Sequence, residues 1–242
     1  IFPDANLEAA IREAIDKSEG PLSVSDFESL TTLEASERGI LDLTGLEYCL
    51  NLEKLWLGNN NVSDISPLAG LISLQTLYLR DNNISDISPL ADLISLEWLG
   101  LSTNNISDIS ALDGLTNLQQ LALGGNNISN ISALAGLTNL KWLRINDNNV
   151  SDISALAGLI NLETLSLGGN NINDISALAG LTDLWWIYLR DNNISDISPL
   201  VEKLWLGNTE EDFVYLRENP LGTISVNVYI PQLQARGVVV TY

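Results

Sequence analysis

Histidine is absent from this sequence, which removes the commonest general base and the commonest metal ligand together. Cysteine occurs once, at Cys49, so no internal disulfide framework can form. Basic residues are scarce: 11 Lys and Arg stand against 31 Asp and Glu, a net charge of −20. Bare nucleic acid and anionic membrane are poor partners for such a chain. No run of about 18 apolar residues occurs, so no membrane insertion is expected. There is no glycine-rich phosphate loop and no nucleophile with a base to activate it. The chain therefore reads as non-enzymatic, with no cofactor and no metal.

What is present is a 22-residue period. Leu52, Leu74, Leu96, Leu118, Leu140, Leu162 and Leu184 recur at that step, as do Asn60, Asn82, Asn104, Asn126, Asn148, Asn170 and Asn192. The unit L-x-x-L-x-L-x-x-N-x-I-x-D-I-x-x-L-x-x-L-x-x is a leucine-rich repeat. In residues 52–73, Leu55 and Leu57 alternate with Trp56 and Gly58, the period of a strand with one buried face. Asn60 then stands where the chain turns, and its amide can satisfy backbone groups that the turn leaves unpaired. Val62, Ile65, Leu68 and Leu71 return inward through short 3₁₀ turns. One repeat buries too little to order itself, so stacking must supply the difference. The expected fold is an α/β solenoid, a leucine-rich repeat horseshoe with a parallel β-sheet on its concave side.

Two ladders invite over-reading. Asp64, Asp86, Asp108, Asp152, Asp174 and Asp196, interrupted by Asn130, resemble a metal stripe, but turn capping explains them without metal. N-x-S triplets at Asn61, Asn83, Asn105, Asn127, Asn130, Asn149 and Asn193 follow from the repeat itself and are read as coincidence. Cys49 falls in a core position and reads as a small buried apolar residue.

The ends break the period. Leu7, Ala10, Ile11, Ala14 and Ile15 follow helical spacing after Pro3-Asp4. Residues 30–51 form a degenerate repeat in which Arg38 replaces the asparagine. At the other end, 202–208 repeats 53–59 in sequence, yet Leu206 follows Leu189 too closely for a repeat. The next strand is therefore expected at about 213–217, with 202–212 as connection. Residues 225–236 read as a short helix broken near Pro231, and 238–241 as a covering strand. The expected organisation is an N-terminal helical cap over 1–29, repeats with about nine strands over 30–221, and a C-terminal cap over 222–242.

The repeat ending N-x-I-S-D-I-S-x-L, preceded by FPDANLEAAIREAI, resembles the bacterial internalin-like leucine-rich repeat proteins of the 22-residue class. That resemblance covers nearly the whole chain. It implies a secreted or cell-surface bacterial protein that binds a protein ligand through its concave face. The phosphatase-regulating leucine-rich repeat proteins share the repeat length and keep a cytoplasmic alternative open. The chain starts at Ile1 without a methionine, which reads as a mature fragment or an artificial chain; prior removal of an export signal is compatible with it.

Outward strand positions, those equivalent to 54, 56 and 58, hold Trp56, Tyr78, Trp98, Trp142, Trp186, Tyr188, Phe213 and Tyr215. Arg80, Arg144, Arg190 and Arg217 share those rows, and Trp185 adjoins them. Exposed rings on a rigid sheet are typical binding hot spots. These thirteen residues are the candidate partner-binding set, with the cluster from Trp185 to Arg217 as anchor. Gly100, Ala122, Gly124 and Gly125, then Ser166, Gly168 and Gly169, should leave bare grooves between bulky ridges. The alternatives are that each Arg–Asp neighbour pair neutralises itself and that the rings merely favour strands. The functional expectation is a monomeric protein-binding module. A carbohydrate-binding repeat protein and a structural scaffold of consensus-type repeats are the alternatives.

Overall fold

The computed structural model describes residues 2–201 and 212–242. The connection expected over 202–212 lies outside them, apart from Asp212. The chain divides into two compact units, Ile1–Asn126 and Asn127–Tyr242. The first holds the helix α1 (Ala5–Ala14) and the strands β1 (Thr32–Glu34), β2 (Lys54–Trp56), β3 (Thr76–Tyr78), β4 (Trp98–Gly100) and β5 (Gln120–Ala122). The second holds β6 (Trp142–Arg144), β7 (Thr164–Ser166), β8 (Trp186–Tyr188), α2 (Ser198–Val201), β9 (Phe213–Tyr215), α3 (Ile230–Ala235) and β10 (Val239–Thr241).

Within each unit the strands pair in parallel in chain order. In the first, Thr32, Lys54, Thr76, Trp98 and Gln120 stand side by side. In the second, Trp142, Thr164, Trp186, Phe213 and Val239 do so. Each strand presents its middle residue inward, and Leu55, Leu77, Leu99 and Leu121, like Leu143, Leu165, Ile187 and Val214, are fully buried. A 3₁₀ turn such as Ser66–Leu68 or Ser154–Leu156 closes the opposite side. This is the leucine-rich repeat solenoid architecture.

Within each unit the asparagine ladder joins a coil to the one before it. Asn104 Nδ2 donates to the carbonyls of Leu79 and Leu101, both at 3.0 Å, and its Oδ1 accepts from Ile84 N–H at 3.0 Å. Asn170 does the same with Ile145, Leu167 and Val150. Asn219 continues the pattern with Leu189, Leu216 and Ile194, although the insertion has lengthened its repeat. A ladder asparagine thus serves the preceding coil. No coil precedes residues 30–51, so position 38 needs no asparagine. Arg38 instead reaches Glu13 of α1 at 2.8 Å.

The residue before each asparagine is left-handed. Glu37, Asn59, Asp81, Thr103, Asp147, Asp191 and Glu218 all have φ between 53° and 60°. The conformation costs a residue with a Cβ about 1–2 kcal/mol. It persists because the N–H there donates across coils, as from Asp81 to Ser102 O at 2.9 Å. Glycine takes the position at Gly169, where a Cβ would collide with Asp147 Oδ1.

The aspartates also cap turns. Asp86 and Asp108 each accept from the N–H of the serine two residues on at 2.8 Å, as do Asp152 and Asp174, and Asn130 does the same for Ser132. These amides hold the four carboxyls below their usual range.

At the N-terminal end, Asp4 Oδ1 caps α1 through Asn6 and Leu7 N–H, while Oδ2 takes Leu41 N–H at 2.8 Å. One side chain therefore starts the helix and fastens it to the first repeat. Leu7, Ala10 and Ile11 are buried, but Ala14 is exposed and Ile15 only half-buried. The expected apolar stripe stops there because the helix ends and the chain turns at Asp16, with φ 53°.

At the other end, Pro231 does not break the helix. A π turn over Ser225–Tyr229 runs straight into α3, and the change of helical type falls just before the proline, the second residue of α3. Ser225 is buried and its hydroxyl donates to Ser195 O at 2.8 Å, tying this segment to the last repeat.

Two predictions follow from these contacts. Asn104→Ala should lower unfolding stability by about 1–3 kcal/mol, because buried backbone groups lose their partners; urea denaturation measures it. In the N-terminal cap, the Lys17 ammonium first, then the Ser23 N–H, lower Asp26 from 3.8 to about 2. A depressed carboxyl contributes its stabilisation above the ordinary value and loses it as pH falls through the folded one. The cap should therefore loosen as pH drops from 3.8 through about 2. Hydrogen exchange around Ser23–Phe27 should show that step, and Asp26→Asn should remove it.

Candidate functional site

Burial of alternate strand residues leaves the others facing outward, and there the side chains are free to vary. In the second unit the outward positions of β6, β7 and β8 form a grid of three rows. Trp142, Thr164 and Trp186 make the first row by direct pairing, and Arg144, Ser166 and Tyr188 the second. Asn146, Gly168 and Arg190 continue the same columns. All nine line one groove of about 550 Å³. Thr164 and Ser166 form its floor between the bulky residues of β6 and β8, while Tyr188 and Arg190 lie against Gly168, where a Cβ would come 3.1 Å from each.

The rings of this unit pack on one another without being submerged. Trp186 lies 5.1 Å from Phe213 and 5.9 Å from Tyr215, and Tyr188 lies 4.9 Å from Tyr215. Trp185 meets Trp186 edge-on at 5.8 Å. All stay half-buried, as does Trp142. Arg144 sits over the Trp142 ring at 5.2 Å and Arg190 over Tyr188 at 5.6 Å. Arg217 is exposed on the same face.

The first unit treats its face differently. Tyr78 and Trp98 stack at 5.1 Å with an angle of 20° between rings. A Cβ on Gly100 would meet both rings within 2.9 Å. The stretch at Gly100 is therefore not bare: the rings beside it lie over it. Trp56 is half-buried, and Arg80 is tied to Asp81 at 2.7 Å, which raises the guanidinium pKa further.

Self-neutralisation of arginine by its neighbour is thus true of some residues and not others. Arg80 closes tightly on Asp81 through Nε. Arg190 and Asp191 stand 3.5 Å apart, a looser pair. Among the described residues no carboxylate pairs with Arg144; the nearest in sequence, Asp147, accepts from Asn146 Nδ2 at 2.5 Å.

The sequence reading named the walls of the groove but not Thr164 on its floor or Asn146 on its rim. The period held the signal: Thr164 is the position between Trp142 and Trp186. Asn146 Oδ1 is buried and accepts no hydrogen bond within the described protein.

Other candidates carry less. A second groove of the same unit, about 670 Å³, is lined by Asp152 and Asp174, whose carboxylates already cap turns. Among the described residues, no three His, Cys, Asp or Glu are grouped to hold a metal. Cys49 is fully buried, and burial first, then Glu47, raises its thiol to about 12, which leaves it protonated and inert. No described helix is long and apolar enough to cross a membrane.

Comparison with known proteins agrees with this architecture. The leucine rich repeat family matches residues 50–106 and 72–128, and a two-copy form of the repeat matches 138–180. No curated protein matches the sequence. Among solved structures, internalin C2 of Listeria monocytogenes is 35% identical, with a TM-score of 0.78 over 100% of this chain and 95% of that one. An internalin, inlF, of the same species is 30% identical over 100% of this chain and 92% of its own, with a TM-score of 0.47. A leucine-rich repeat protein of Leptospira interrogans is 22% identical, with a TM-score of 0.67 over 81% of this chain and 56% of that one. With more than a third of its residues shared with internalin C2 along its full length, the chain belongs to the internalin-like leucine-rich repeat proteins.

Proposed function

We propose that this chain is a non-enzymatic protein-binding module of a bacterial surface or secreted protein, and that it holds its partner on the outward sheet face of its second unit. The carrying observation is the groove over β7, where half-buried rings and guanidinium groups flank a floor of small residues. Large rings already fixed by their neighbours lose little freedom when a partner arrives, which makes them good anchors. The internalin relatives support the surface or secreted assignment. The solenoid supplies rigidity: the strands that carry the rings are pinned by the ladder beneath, so the face is preorganised.

Photo-crosslinking tests this reading. A photoreactive residue at Ser166, on the groove floor, should trap the partner, whereas one at Ser154 on the opposite side should not. Alanine at Trp186 or Tyr188 should each weaken the affinity for the trapped protein by roughly 2 kcal/mol. Equal trapping at both positions, or unchanged affinity in both variants, would remove the face from consideration.

A further inference from the structure

We propose that the groove over β7 reads a carboxylate: it receives an extended segment of the partner protein in which an acidic side chain adjoins a large apolar one. The proposal rests on the interaction reading above and narrows its partner.

The groove is graded along its length. At one end two tryptophans, Trp142 and Trp186, face each other across Thr164. Their strands lie about 9.6 Å apart, twice the ordinary strand spacing, which admits an apolar side chain between the rings. Two residues further along, Arg144 faces Tyr188 across Ser166, and then Asn146 faces Arg190 across Gly168. The character changes from aromatic to cationic within about 7 Å per row. Neighbouring side chains of one bound segment would span that change.

The cationic end is prepared and unspent. Trp142 holds the Arg144 guanidinium from beneath at 5.2 Å, and the carboxylate nearest in sequence, Asp147, is occupied by Asn146. Arg190 stands 3.5 Å from Asp191, beyond the 2.7 Å that Arg80 and Asp81 achieve with the same Arg-Asp sequence. A charged hydrogen bond is short, so Arg190 keeps most of its capacity. Asn146 Oδ1, buried and without a partner among the described residues, needs an N–H, which the backbone of an extended segment supplies. A neutral sugar would meet the rings but leave the guanidinium groups unmatched. The chain's net charge of −20 adds a condition. A uniformly acidic partner is repelled at long range, so the acidic group must be local within a neutral or basic segment.

The probe is a random-peptide phage library selected against the intact chain. Recovered peptides should share Asp or Glu beside an aromatic or large aliphatic residue. Replacing that acid by its amide in the synthetic peptide should weaken binding at least about tenfold, since one charge-assisted contact is lost. Arg144→Gln should abolish the distinction between acid and amide. Because the first swap is made in the peptide, it cannot act by unfolding the protein. Peptides indifferent to the amide swap overturn the proposal, as does a selection that yields no binder. If such peptides still lose binding in Trp186→Ala, the interaction reading survives alone. If they ignore Trp186→Ala as well, both fail.

Discussion

One asparagine amide per coil holds this protein's coils together. Each coil of a solenoid turns its backbone sharply, and the turn strips carbonyls and N–H groups of their partners inside a nearly dry core. A single carboxamide, with two donors and an acceptor, meets both the coil that carries it and the one before it, as Asn104 does for Leu79, Leu101 and Ile84. The left-handed residue before each asparagine shows how much this arrangement imposes: glutamate, threonine and aspartate all accept a conformation that glycine would take more cheaply.

That constraint separates structure from recognition. Inward strand positions are committed to the aliphatic core and turn positions to the ladder. Only outward strand positions carry no structural duty, and they vary from repeat to repeat: Trp142, Thr164 and Trp186 occupy one row of one unit. A groove arises where a repeat with small outward residues lies between two with large ones. The fold contributes spacing and rigidity; the side chains contribute the chemistry.

Much of this was legible in the sequence because the period is strict. The inward leucines, the asparagines, the capping role of the aspartates and the strand beyond the irregular repeat could all be read by counting. Counting fails where a side chain's direction decides. Nothing in the period says that Tyr78 and Trp98 lie over Gly100, or that Asp147 turns to Asn146 while Arg144 lies over Trp142. It fails also at the caps, where no repeat constrains the chain. There the apolar spacing suggested a longer buried stripe than α1 delivers, and Pro231 was read as a break although it begins a turn.

The clearest sign that neighbours decide function is a segment the chain uses twice. Residues 78–90 and 188–200 are identical, from the tyrosine through Arg-Asp-Asn-Asn to the proline and leucine. In the first unit the tyrosine stacks on Trp98, and its arginine closes on the adjacent aspartate at 2.7 Å. In the second the tyrosine leans on Tyr215, the arginine lies over it, and the same Arg–Asp pair opens to 3.5 Å. The first copy holds its arginine against the adjacent aspartate, and the second lays it over its own tyrosine. Since the segments are the same, the difference comes from what stands beside them: Trp56 and Trp98 in one case, Ser166 and Tyr215 in the other. The outward surface of this solenoid is therefore a property of adjacent repeats in combination, and no single repeat read alone would reveal it.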